Sequence, residues 1–215
     1  MAIVRACFLG ALLVAGSGCG WTHAKGYEKR TALPASTIKV KTFQMCSSAG
    51  TCTHEGRRGP LVATETDRPA ITGLRSNWAF RVVYDGRDLA CRYPAEVEGK
   101  PVALACEQVA GPGRVAIVVD AGCREGQLWI EQKKYRLSFD RGRVGGTSVP
   151  GREVAILDER GELVAFIDYP SLDFTMYGPA EAHAELTTPI ELVAGAMGMF
   201  LQSGSAPMQC IGEAQ

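Results

Sequence analysis

Ser36-Thr37-Ile38-Lys39 places a hydroxyl three residues ahead of an amine. On one turn of helix that spacing lets a lysine accept the proton of an attacking serine, and acyl transfer is the chemistry such a pair would do. The residues around it point elsewhere. From Thr37 to Phe43, Ile38 and Val40 alternate with Thr37, Lys39 and Lys41, a period of two that predicts a strand with one apolar face. Gly111-Pro112-Gly113-Arg114 and Gly142-Arg143-Val144-Gly145-Gly146-Thr147-Ser148 have the glycines of a phosphate cradle, but neither leads into a helix-forming run or carries the required Lys-Ser/Thr, so both read as turns. His23, His54 and His183 are in no zinc-ligand pattern with the cysteines. Asp120, Asp158, Asp168 and Asp173 fall near strand ends without calcium-loop spacing and read as solvated turn carboxylates. No catalytic residue, cofactor or metal is assigned from these patterns.

The cysteines carry a different chemistry. Cys7 and Cys19 belong to the N-terminal segment, leaving Cys46, Cys52, Cys91, Cys106, Cys123 and Cys210, an even set without Cys-x-x-Cys spacing. In an exported chain this reads as three disulfides. Six cysteines allow many pairings; the preferred set joins Cys46 to Cys52 across a small loop, Cys91 to Cys106 across a hairpin, and Cys123 to Cys210.

Export is what the leader announces. Met1 to Arg5 carries one positive charge, Ala6 to Gly16 is uncharged and largely apolar, and small residues follow at Ser17 and Gly18. The apolar run is too short for a permanent membrane helix, which needs about 20 residues. Leu12-Leu13-Val14-Ala15-Gly16-Ser17-Gly18-Cys19 resembles the lipobox of bacterial lipoproteins, with Gly16 where that family usually has an aliphatic residue. The resemblance implies cleavage before Cys19 and its acylation as the mature N-terminus. Gly20 in the next position, in place of Asp, implies sorting to the outer membrane. Each acyl methylene in lipid contributes about 0.8 kcal/mol, so several chains would hold the protein essentially permanently.

The 215 residues suit one domain plus an arm once the leader is removed. Hydrophobic residues make up 46% and charged residues 21%, the composition of a folded globular protein. Lys plus Arg and Asp plus Glu each number 23, a balance that gives nucleic acid nothing to grip. Three regions are expected: a signal peptide at 1–18, a tether and loosely structured arm at 19–76, and a β-rich domain at 77–215. Within the last, Phe80 to Tyr84 and Leu89 to Tyr93 flank Asp85-Gly86 as a hairpin; Val102 to Cys106, Val115 to Val119, Gln127 to Glu131 and Tyr135 to Phe139 follow. Glu153 to Asp158 and Glu162 to Asp168 flank a short loop in which Gly161 can take positive φ. Asp173 to Tyr177 is a further strand. No helix-length segment separates these runs, which favours antiparallel pairing. Thr188 and Pro189 then introduce a helix over about 189–202 that is apolar nearly all round, with small residues at Ala194, Gly195, Ala196 and Gly198 suited to close packing on a sheet. The fold class is therefore mainly β, an antiparallel sheet, sandwich or barrel with one buried apolar C-terminal helix.

Two further resemblances bear on function. Ser36-x-x-Lys39 resembles the motif of penicillin-binding proteins and serine β-lactamases, which implies Ser36 as nucleophile and Lys39 as proton acceptor, although no Ser-x-Asn or Lys-Thr-Gly follows in a suitable place. Strands from Phe80 to Tyr177 followed by an apolar helix resemble tubby-like and scramblase-like folds, whose barrels surround such a helix; this implies lipid or protein binding. The leading expectation is a noncatalytic envelope lipoprotein, anchored in the bilayer through its acyl chains, that binds an envelope protein or a small ligand. The alternative is an envelope hydrolase using Ser36 and Lys39.

Overall fold

The computed structural model describes residues 21–43, 51–67, 78–144, 147–169 and 173–202. The strands run in chain order as β1 (Trp21–Thr22), β2 (Ala35–Phe43), β3 (Thr51–Gly56), β4 (Gly59–Asp67), β5 (Trp78–Tyr84), β6 (Arg87–Tyr93), β7 (Ala95–Val97), β8 (Lys100–Ala110), β9 (Val115–Asp120), β10 (Glu125–Ile130), β11 (Lys133–Val144), β12 (Thr147–Leu157), β13 (Leu163–Asp168) and β14 (Phe174–Tyr177). One α-helix, α1 (Thr187–Gln202), follows them.

Each strand from β2 to β14 pairs antiparallel with the next, apart from β7, which adds to β8 beside β6. β14 then returns to pair with β2, Phe174 opposite Ile38 and Tyr177 opposite Ala35. With β11 also paired to β12, the described strands other than β1 and β7 form a closed ring of twelve. An even number is what lets an antiparallel ring close without an edge. The sheet, sandwich and barrel left open by the strand pattern resolve into the barrel.

The interior is apolar. Period-two alternation turns Val82 and Tyr84 of β5, Leu89 and Cys91 of β6, Ile117 and Val119 of β9, and Leu137 and Phe139 of β11 inward, where each is buried. The outer face carries Arg92, Glu107 and Arg136, and Arg81 paired with Asp88. A lipid-spanning barrel has the reverse polarity. Among the described residues no helix is long and apolar enough to cross a membrane.

Helix α1 fills the lumen, and every residue from Thr188 to Phe200 is buried. It packs on β4, β5, β6 and β12. Gly195 lies so close to the wall that a Cβ there would come within 2.6 Å of Leu61 Cδ2 and 3.1 Å of Val82 Cγ1. A polar contact holds the helix near its middle: Tyr169 donates to the carbonyl of Ala194 at 2.7 Å, and burial raises its phenol pKa.

The expected arm at 19–76 is the main correction. β2, β3 and β4 are wall strands, and β2 is no edge, since it has β14 on one side and β3 on the other. Residues 21–34, preceding them, form a strap on the outside of the barrel. Thr22 pairs with Arg141 of β11, and the Ala24 N–H donates to Glu153 of β12. Tyr27 packs on Phe166 of β13, and Arg30 lies over Tyr27, 3.5 Å from its ring centre. The strap thus crosses β11 to β14 and enters β2 at the place where the ring closes.

Cys91 and Cys106 face each other across β6 and β8 in a disulfide, with Cα atoms 4.0 Å apart. Cys123 is also disulfide-bonded. Cys46 and Cys210, and with them the expected Cys46–Cys52 and Cys123–Cys210 pairings, lie outside the described residues, as do the 1–18 leader and Cys19.

Candidate functional site

Because consecutive strands alternate direction, the turns after β3, β5, β10 and β12 all lie at one end of the barrel. The chain also leaves β14 there to enter α1, so we call it the helix-entry end. Two polar features occupy it.

The first lies inside the mouth of the barrel. Glu191, one turn into α1, has no exposed surface. Tyr84, the last residue of β5, donates its phenol proton to Glu191 Oε2 and accepts the backbone N–H of Arg58 at 3.0 Å. Arg57 Nε stands 3.6 Å from Glu191 Oε1. Arg57 and Arg58 form the two-residue turn between β3 and β4, so the register of Gly56 against Gly59 delivers both arginines to this mouth. A Cβ on Gly56 would meet the Tyr84 ring at 2.5 Å, so only glycine lets the ring lie there. Burial raises the Glu191 pKa; the Tyr84 hydrogen bond and the charge and N–H of Arg57 act against it without cancelling it. Burial likewise raises the Tyr84 phenol, assisted by its bond to Glu191. Arg58 and Arg87 both reach Asp85 Oδ2, at 3.3 and 3.6 Å, which ties the neighbouring turn to the same cluster.

The second feature is a cleft of about 300 Å³ on the outside of this end. Lys133, Lys134 and Tyr135 come from the start of β11, Asp158, Glu159 and Arg160 from the turn after β12, and His183 and Leu186 from the 3-10 segment Glu181–Leu186 before α1; Val164 completes the lining. Its apolar part is Tyr135, Val164 and Leu186. The Asp158 carboxylate is engaged by its own turn, accepting the N–H groups of Arg160 at 2.9 Å and Glu162 at 2.8 Å. The charged lining is of both signs, with Lys133, Lys134 and Arg160 beside the carboxylates of Asp158 and Glu159. Burial raises the Tyr135 pKa, with smaller contributions from Glu185 and Asp158. The pattern suits a small ligand that is apolar on one side and polar on the other.

The residues singled out in the sequence are dispersed. Ser36 and Lys39 are both on the extended strand β2, and Ser36 stands opposite the buried Met176 of β14. The strand does not supply the single helical turn that their acyl chemistry requires. Gly111 to Arg114 joins β8 to β9, and Asp120 Oδ1 caps the next turn by accepting the N–H groups of Arg124 and Glu125. The 142–148 stretch spans the end of β11 and the start of β12. His23, itself part of the strap and exposed, stacks on Tyr27 at 3.6 Å and contacts Glu153 at 2.8 Å. His54 is buried in the wall against Phe174, and Asp173 immediately precedes β14. Asp168, beside Glu153 on β13, has its pKa raised by burial and then by that neighbour. Asp158 and His183 come together in the cleft, and His23 and Asp168 lie on either side of Glu153.

Tyr84, Arg57 and Glu191 were not singled out. The available signal was a lone acid in an otherwise apolar helix, which asks for a buried partner. No protein-family model, curated protein or solved structure matches this chain.

Proposed function

We propose that the protein is an exported, acyl-anchored binding module of the bacterial envelope, noncatalytic, with the helix-entry cleft as its ligand site. The observation that carries the reading is the disulfide between Cys91 and Cys106 in a chain led by a signal-like segment: a cross-strand bond of this kind persists in oxidising compartments. The location of the cleft supports binding. The barrel encloses its own helix, and this cleft is open to solvent, with charged side chains of both signs above an apolar floor. A closed barrel around an apolar helix also supports the resemblance to tubby-like folds, with its implication of lipid or protein binding.

The test is metabolic labelling with palmitate in a lipoprotein-processing bacterium, followed by fractionation. Label on the wild-type chain, absent from Cys19→Ser, together with recovery in the outer-membrane fraction, is the expected result. An unlabelled protein in the soluble fraction would overturn the anchor.

A further inference from the structure

We infer that the anchored barrel stands with its far end toward the bilayer and its helix-entry cleft toward the water. This rests on acylation of Cys19 as proposed above, and it adds an orientation that the lipid anchor alone does not give.

Three observations fix the geometry. β1 begins at Trp21 and is antiparallel to β11, Trp21 opposite Gly142 and Thr22 opposite Arg141. β11 runs away from the helix-entry end, starting at Lys133 in the cleft and finishing at Val144. The chain therefore joins the barrel from the end where β11 finishes. One residue, Gly20, separates Cys19 from Trp21, and the two steps of chain reach about 7 Å at full extension. The attachment is also fastened. Beyond β1 the Ala24 N–H meets Glu153 Oε2 at 3.1 Å, the Lys25 N–H meets Ser138 Oγ at 3.3 Å, and Lys25 Nζ pairs with Glu125 at 3.1 Å. A long, slack tether is not what connects anchor and domain.

The cleft is correspondingly remote. Arg141 and Lys133 are eight residues apart on β11. At about 3.3 Å per residue and a strand tilt near 40°, that places the cleft about 20 Å along the barrel axis from the point of attachment. An occupant reaches it from the aqueous phase rather than from the leaflet that holds the anchor.

Lysine reactivity reads the orientation. Lys133 and Lys134 are exposed at the cleft, and Lys100 is exposed at the turn between β7 and β8, at the far end. The acylated protein is reconstituted in vesicles of phosphatidylethanolamine and phosphatidylglycerol, treated with a membrane-impermeant amine reagent, and compared by mass spectrometry with an unacylated chain beginning at Gly20. Slowing of Lys100 by several-fold, with Lys133 and Lys134 unchanged, is expected. Protection of Lys133 and Lys134 overturns the orientation, and so does equal reactivity at both ends. The intact mass of the same sample separates the two failures: an unmodified Cys19 counts against the anchor itself, whereas an acylated Cys19 with a protected cleft counts only against the orientation.

Discussion

Tyr84 at the end of β5 donates to Glu191 on the central helix, so the only charged residue of α1 is held by a wall strand that also receives the Arg58 N–H. A helix that is apolar all round could slide or rotate in an apolar lumen with little penalty. This contact, with Arg57 at 3.6 Å, sets its depth and rotation at the mouth of the barrel.

Tyr84→Phe removes the donor and leaves Glu191 Oε2 buried without it. The expected loss is about 2 to 3 kcal/mol, because an uncompensated buried polar group costs more than the hydrogen bond itself contributes. Urea unfolding monitored by circular dichroism measures it. A loss no larger than that of an exposed tyrosine variant would mean that the carboxylate has another partner.

The same carboxylate makes stability depend on pH. Its pKa is raised in the fold above the ordinary 4.5, so its contribution is complete below that value and declines as pH rises through the folded-state pKa. Asp168, raised above 3.8, acts in the same direction. Glu191→Gln is expected to flatten the decline, so that the variant compares more favourably with the wild type at pH 8 than at pH 4. Parallel curves for the two proteins would sink this account.

Gly195→Ala puts a Cβ within 2.6 Å of Leu61 Cδ2. Overpacking of this kind costs about 1 to 3 kcal/mol, against which the better helix propensity of alanine returns about 1 kcal/mol. Leu61→Ala alone opens a cavity and costs about 2 to 5 kcal/mol. Combined, the two substitutions should cost less than their sum, and a thermal double-mutant cycle measures that coupling. Strict additivity would show that the helix shifts instead of pressing on Leu61.

Arg30→Ala removes the cation lying over Tyr27 and the Nη1 contact to the Tyr27 carbonyl at 2.6 Å. A loss of about 1 kcal/mol is expected, confined to the strap. Hydrogen exchange should quicken at residues 24–33 while the amides of β9 and β10 keep their protection. Uniform quickening would show that the strap is part of the barrel's cooperative unit.

Local structure was legible wherever turn chemistry and periodicity agreed. Asp85-Gly86 and the Asp158 to Gly161 loop are hairpin turns as the sequence predicts, and α1 spans the expected apolar run. β3 and β4 were missed for a physical reason. Their buried face is His54, Leu61 and Ala63, little apolar bulk for two strands, and it suffices because Gly195 brings the helix against that part of the wall. Closure was beyond periodicity altogether, since it depends on β2 meeting β14 across most of the chain. The cleft draws its lining from β11, the turn after β12 and the approach to α1, which no local spacing could connect.

The helix at the centre of the barrel is also the last described element to be synthesised. A wall closed before its arrival would surround an empty apolar space, so the ring and its core have to form in one late cooperative step. Until that step the chain has no closed globular state to commit to, because the segment that completes the core is the last of these elements to be made. Truncation ahead of Thr187 should accordingly yield no smaller barrel but an open, aggregation-prone set of hairpins.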